Sequence, residues 1–332
     1  MMTFCTLFDS FYLDKGLALY RSLEKQTNDF KLFIFCFDDR AYDILQKMNL
    51  KNAEILHHSV IEDEALLGLK RERSKAEYNW TCTPVIIEYV LKTYSVENCT
   101  YIDADMYFFA DPQILFDEID EANAKIVITE HRFADDIRGR RWLKRSGKYC
   151  VEFNYFDQSE EAFEALAWWK EKCFEWCYAL YEKDRMGDQK YLEKFPEKFT
   201  GVHELQYLGG GVAPWNLYQY NLEMSGDSKI KLKTRGNQSF DLIFFHFQNI
   251  RYLRDDLVNI NSCTHKKELK ETIYVPYLRE VEQIRKELWN DYELSFAVKK
   301  SCASNKIKAF IQKNIMQYKI KSKTDIINLN KL

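Results

Sequence analysis

No apolar run in this chain approaches the roughly 20 residues that a bilayer crossing needs. The strongest, Leu242-Ile243-Phe244-Phe245, is far shorter. The N-terminus reads Met1-Met2-Thr3-Phe4-Cys5-Thr6, without the basic and apolar regions of a secretory signal. The nine cysteines show neither Cys-x-x-Cys spacing nor a pairing pattern, which argues against a zinc ribbon and a disulfide framework. Several, such as Cys5 and Cys36, lie inside apolar runs and read as reduced core thiols of a cytoplasmic protein; Cys173 and Cys177 share a predicted helical face. Repeats and low-complexity tracts are absent. A net charge of −3 argues against a surface that coats nucleic acid, and no such partner is expected. The first predicted strand lacks the Gly-x-Gly-x-x-Gly turn of a dinucleotide site.

What is present is a folding composition: 46% hydrophobic and 15% aromatic residues over 332 positions, enough for one large α/β domain with additions or two small ones. Residues 2 to 8 read as a strand, 13 to 25 as a helix, 31 to 37 as a strand, 41 to 48 as a helix and 53 to 57 as a strand. Such alternation predicts βαβ units and a mainly parallel sheet flanked by helices, which binds its ligands at the strand C-termini.

The stretch Tyr101-Ile102-Asp103-Ala104-Asp105-Met106-Tyr107 ends a short apolar strand with two acids at i and i+2. In extended chain both carboxylates project to one side, where they can reach one hard cation that keeps positions open for phosphate oxygens. A solvated turn after a buried strand is the competing reading. Asp9 and Tyr12 follow the first strand, where Asp9 suits either a nucleobase or ribose contact or a helix cap. Lys70, Arg71, Arg73 and Lys75 precede a helix predicted to begin near Thr83-Pro84, with proline at its first position; they suit a phosphate or a solvated face. Residues 132 to 148 carry seven Lys and Arg and read as an irregular, mobile loop beside the ligand edge. A strand from 149 to 156 carries Asn154, and an aromatic helix is predicted from 160 to 181, with Trp168, Trp169 and Trp176 as core anchors. Met186-Gly187-Asp188-Gln189 is a glycine turn ahead of a helix. Gly209-Gly210-Gly211 permits close backbone approach to a ligand but lacks the Lys-Ser/Thr of a phosphate loop. Residues 240 to 247 form a last predicted strand containing His246, a core or edge group or a ligand, followed by Arg251 and Arg254.

Taken together, Thr6-Leu7-Phe8-Asp9-Ser10, Tyr101-Ile102-Asp103-Ala104-Asp105, Gly187-Asp188-Gln189 and the late strand ending at His246 resemble the GT-A glycosyltransferases. The resemblance is closest to the retaining family of glycogenin and the bacterial lipooligosaccharide galactosyltransferases, and it spans roughly residues 2 to 252. It implies a GT-A, Rossmann-like fold and a nucleotide-diphosphate sugar donor, UDP-linked in most of the family. It implies Mn²⁺ or Mg²⁺ held by Asp103, Asp105 and His246, and a saccharide or glycolipid acceptor. By the same match, Thr6, Phe8, Asp9, Tyr12 and Lys75 hold the nucleotide, Ala104 and Gly211 line the donor site, and Asn154, Asp188 and Gln189 surround the sugar, the last two as catalytic candidates. The Gly and Lys-Pro-Trp that often follow the metal histidine are replaced by Phe247-Gln248-Asn249-Ile250-Arg251, which leaves Arg251 or Arg254 as the substitute diphosphate contact. Two other readings stay open: phosphoryl transfer by the Asp-x-Asp pair, whose motif normally sits on the first strand, and a sugar-nucleotide-binding protein without turnover.

These readings divide the chain into a catalytic domain at 1–255, a helical extension at 256–298 and a basic tail at 299–332. Between Leu294 and Thr324 the tail carries Lys299, Lys300, Lys306, Lys308, Lys313, Lys319, Lys321 and Lys323, and no acid. Ile307, Phe310 and Ile311 interleave with helical spacing, a pattern that suits either peripheral attachment to an anionic membrane or packing on the catalytic domain.

Overall fold

The computed structural model describes residues 1–223, 229–296 and 325–332. Its centre is a seven-stranded sheet in the order β3-β2-β1-β4-β7-β6-β8. The strands are β1 (Met2–Phe8), β2 (Phe30–Cys36), β3 (Ala53–His57), β4 (Asn98–Ile102), β6 (Ile126–Glu130), β7 (Tyr149–Asp157) and β8 (Val202–Glu204). The short β5 (Met106–Phe108) stands outside it. The run β3-β2-β1-β4 is parallel. Only β7, inserted antiparallel between β4 and β6, breaks the direction.

Strand β1 is buried along its whole length, as expected of a central parallel strand covered on both faces. Its side chains alternate between two cores. Met2, Phe4 and Phe8 join one, under α1 (Leu13–Gln26), α2 (Asp39–Met48) and the helix Val275–Tyr292. Cys5 and Leu7 join the other, under α4 (Lys75–Thr93) and α7 (Glu160–Glu175). The helix Val275–Tyr292 is pinned to α1 by ion pairs: Arg285 Nε meets the fully buried Asp14 at 2.6 Å, and Arg21 reaches Glu280 and Glu287.

Four predicted elements differ from the structure. The helix placed near Thr83-Pro84 starts at Lys75, because Ser74 and Glu77 form a capping box, and Pro84 lies inside it. The segment read as an irregular loop contains a helix, α6 (Ile137–Ser146), which follows α3 (Glu64–Glu72), α4 and α5 (Gln113–Glu121) in the chain. Asp136 caps it by accepting from Gly139 N. Helix α7 stops at Glu175 rather than continuing to 181; Arg73 donates to Phe174 O and Tyr191 to Trp176 O, so side chains take the carbonyls at its end. The last predicted strand is two: Ser239–Asp241 joins a small antiparallel sheet, and Phe244–His246 pairs with β5.

The eight described cysteines are free, seven of them buried. Among the described residues no helix is long and apolar enough to cross a membrane. The basic tail falls largely outside the described residues. Its last segment, Ile326–Asn328, pairs with the strand Leu257–Asn259.

Candidate metal and donor site

Strand β4 ends at Ile102, and the chain then turns so that Met106 N donates to Asp103 O and the next three residues form β5. Antiparallel pairing sets His246 opposite Met106, and Phe247 N donates to Asp105 O at 2.8 Å. The imidazole is thereby held against the acid pair. His246 Nε2 lies 3.1 Å from Asp105 Oδ1 and 3.5 Å from Asp103 Oδ2, and one ligand atom from each residue lies within 4.8 Å of the others.

The electrostatics of this cluster show an excess of negative charge. Burial, then the neighbouring Asp105 working against His246, pushes Asp103 up to about 6. Asp105 is driven the other way: its burial is outweighed by His246 and, further off, by Lys15. Burial works against a charged imidazole, but Asp105 and the hydrogen bonds to Asp105, Cys150 and Glu152 hold His246 well above its usual range. Two hard oxygens and an imidazole converging in a partly desolvated pocket suit a divalent cation, and this set fits Mn²⁺ or Mg²⁺.

Around it stand groups with unmet polar capacity. Asn154, fully buried in mid-β7, has neither amide atom hydrogen-bonded. Asp188 is 4% exposed, its Oδ2 is also without a partner, and burial together with Asp103 raises it to about 7. Its backbone carbonyl accepts from Trp169 Nε1, which anchors the turn from the core. Gln189 donates to Ser146 O at the end of α6. Gly211 adopts φ +122, and a Cβ there would meet Thr129 and approach Glu152 Oε1 at 3.5 Å, so this close approach depends on glycine.

The first-strand candidates divide. Thr6 is buried with its hydroxyl unpartnered. Phe8 is 2% exposed and packs its ring on Gly16, in the core. Asp9 accepts from Phe11 N and Tyr12 N, the turn-capping geometry weighed against a ligand role, and also pairs with Lys75 at the start of α4. Tyr12 lies within the field of the acid pair: Asp105, then burial and Asp103, raise its phenol. Ala104 is buried between the two acids. Arg251 and Arg254 are exposed on the strand Arg251–Arg254, with Arg254 paired to Asp256.

Three groups were not singled out in the sequence. Tyr101 donates its hydroxyl to Asp103 Oδ1 at 2.9 Å. The Lys15 ammonium sits 3.5 Å above the Tyr12 ring; burial lowers it, opposed by Asp105 and Asp14. Glu152, fully buried on β7, meets His246 Nδ1 at 2.7 Å. For Glu152 a signal existed, since a lone acid between Val151 and Phe153 in a strand buried along nearly its whole length needs a partner.

No family model matches the chain. The Bacillus subtilis (strain 168) protein YfnF, described as uncharacterized, is 31% identical over 286 residues, covering 84% of this chain and 90% of YfnF. The chain belongs to the same family as YfnF. YfnD of the same organism, likewise uncharacterized, is 29% identical over 282 residues, covering 83% of this chain and 87% of YfnD. Among solved structures, the galactosyltransferase LgtC in complex with donor and acceptor sugar analogs superposes with a TM-score of 0.52, covering 87% of this chain and 99% of that chain at 12% identity. The chain has the GT-A fold of the glycosyltransferases, with the acid pair at the C-terminal edge of its parallel strands.

Proposed function

We propose that the protein is a metal-dependent glycosyltransferase that moves a hexose from a nucleotide-diphosphate sugar, UDP-linked, to a saccharide or glycolipid acceptor with retention of configuration. The observation that carries this reading is the convergence of Asp103, Asp105 and His246 at the ligand edge of the sheet. A divalent ion held there stabilises the negative charge that grows on the leaving diphosphate.

The chain's own residues supply the rest. Asn154 and Asp188 offer unpaired polar atoms to sugar hydroxyls, which satisfy them only when the donor is in place. Gln189, fixed by Ser146, stands beside them as the second catalytic candidate. Thr6, Asp9, Tyr12 and Lys75 line the nucleotide end, Phe8 shaping its floor from the core, and Ala104 and Gly211 allow close backbone approach. Arg251 remains a diphosphate candidate, and Lys15 joins it because its ammonium faces Asp105. The catalytic unit is assigned to residues 1–255, with 256–298 as an extension and 299–332 as a tail.

The glycolipid side of the acceptor class is favoured by α6 and its neighbour. Arg141, Lys144 and Arg145 are exposed there, Ile137 is 83% and Leu180 is 63% exposed, and Lys190 Nζ ties the two segments by bonding both Lys144 O and Lys183 O. Cations with solvent-exposed hydrocarbon between them fit an anionic membrane surface beside Gln189.

Calorimetric titration with UDP, with and without Mn²⁺, tests the core of the reading. Binding is expected to require the metal, and Asp105→Ala to abolish that requirement along with most of the affinity. Metal-dependent UDP binding unchanged by Asp105→Ala overturns the assignment.

A further inference from the structure

Among the described residues, two acids have no solvent exposure at all, Asp14 and Glu152. Asp14 is explained by Arg285, which pairs with it at 2.6 Å. Among the described residues, no lysine or arginine forms an ion pair with Glu152. Its Oε2 meets His246 Nδ1 at 2.7 Å, and its Oε1 has no hydrogen-bond partner. A buried carboxyl with one oxygen left unbonded is destabilising, and an apolar side chain of similar volume would pack there at lower cost. Packing therefore does not account for it.

The ring it touches does. His246 is 3% exposed, and Trp215 lies edge-on to its imidazole at a centroid distance of 5.4 Å. One ring nitrogen faces Glu152 and the other faces Asp105 and Asp103. When Nδ1 donates its hydrogen to Glu152, the neutral ring is the tautomer whose Nε2 lone pair points at the acid pair. The opposite tautomer would place a hydrogen where a cation must sit. The backbone registers Glu152 with the acid pair as well, since Asp103 N donates to Glu152 O at 3.3 Å where β4 pairs with β7, while the β5 pairing sets the ring itself.

We propose that Glu152 is the positioning residue of the metal site: it fixes the tautomer and orientation of His246 so that Nε2 completes the ligand set with Asp103 and Asp105. This rests on the metal reading given above. It predicts that removing the carboxylate acceptor weakens metal binding without weakening the fold.

The test uses the full chain with UDP present. Mn²⁺ affinity is measured from the loss of the free-ion electron paramagnetic resonance signal for wild type, Glu152→Gln, Glu152→Met and His246→Ala. Thermal unfolding is followed in parallel in EDTA. Both Glu152 variants are expected to raise the Mn²⁺ Kd by about 10- to 100-fold, the range seen when second partners of metal-binding histidines are removed. Unfolding without metal is expected to stay unchanged or move to higher temperature. With Mg²⁺ in place of Mn²⁺, the ¹⁵N shifts of His246 are expected to show a protonated Nδ1 in wild type and a mixture in Glu152→Gln, a change that a packing role alone would not produce. If His246→Ala weakens Mn²⁺ binding while both Glu152 variants keep the wild-type Kd, the positioning role is overturned and the metal site stands. If His246→Ala also binds Mn²⁺ as wild type does, the metal reading falls and this inference with it.

Discussion

On the proposed assignment, Asp188→Asn is expected to exchange activity for stability, with a size and pH dependence that follow from the burial of this carboxyl. The carboxyl is 4% exposed and lies near Asp103, and burial together with that neighbour raises it from 3.8 to about 7. Three units at about 1.36 kcal/mol each amount to about 4 kcal/mol of stability withheld when the group is ionised in the folded chain. Because the folded state binds this proton more tightly than the unfolded chain does, stability is fully present below about pH 4. It is lost progressively as the pH rises to about 7 and changes no further above that. At pH 5 roughly one unit of the loss has been incurred and at pH 8 all of it, so the Asn variant should gain about 3 kcal/mol on wild type between those two values. The amide keeps the shape of the side chain and the acceptor oxygen, while removing the charge. Urea unfolding in EDTA at pH 5 and pH 8 measures the gap. Tryptophan fluorescence is a suitable probe because Trp169 donates to the backbone carbonyl of Asp188 itself. Sugar transfer should fall in the same variant. A stability gap that is the same at both pH values refutes the account of Asp188 as a buried, charge-crowded carboxyl.

Two further outcomes follow from the proposed reaction. The anomeric proton of the initial product, read by NMR, should show the configuration of the donor, since no separate base need be directed at the acceptor when the leaving phosphate takes its proton; an inverted product excludes this route. Reversing the charges of Arg141, Lys144 and Arg145 to Glu should weaken co-sedimentation with phosphatidylglycerol vesicles, since each cation contributes about 1 kcal/mol at such a surface. Binding equal to wild type, or binding by wild type that high salt does not weaken, removes α6 from the membrane reading.

The parallel half of the fold was legible because its signals are local. The alternation of strand and helix over the first 57 residues places β1, α1, β2, α2 and β3 within a residue or two of their observed limits. The misreadings arose where two local signals competed. Pro84 is a strong helix-start signal, yet Ser74 and Glu77 satisfy the free N–H groups ten residues earlier, and the proline is carried inside the helix. The basic cluster after His131 reads as an irregular, mobile loop, yet Asp136 supplies a cap, and Trp142, less exposed than its neighbours, packs beside Phe133. The run from 240 to 247 is apolar apart from Asp241 and His246, and nothing in the residues themselves says that Asp241 and Phe244 belong to different sheets.

The site divides along the same line. Asp103 and Asp105 are two residues apart, so a rule about extended chain suffices to place their carboxylates together. His246 lies more than a hundred residues away, and only the order of motifs along the chain suggested it; the β5 pairing is what sets it against Asp105. Glu152, Lys15 and Tyr101 were hidden because their meaning is electrostatic and depends on register. Pairing Tyr101 with Asn154 and Ile102 with Phe153 sets β4 against β7, leaving Glu152 level with the turn that carries Asp103. A slip of one residue would turn Glu152 to the opposite face of the sheet, and His246 Nδ1 would lose its acceptor. The β4–β7 register therefore determines whether the imidazole that the β5 pairing sets beside the acid pair keeps its Nδ1 acceptor.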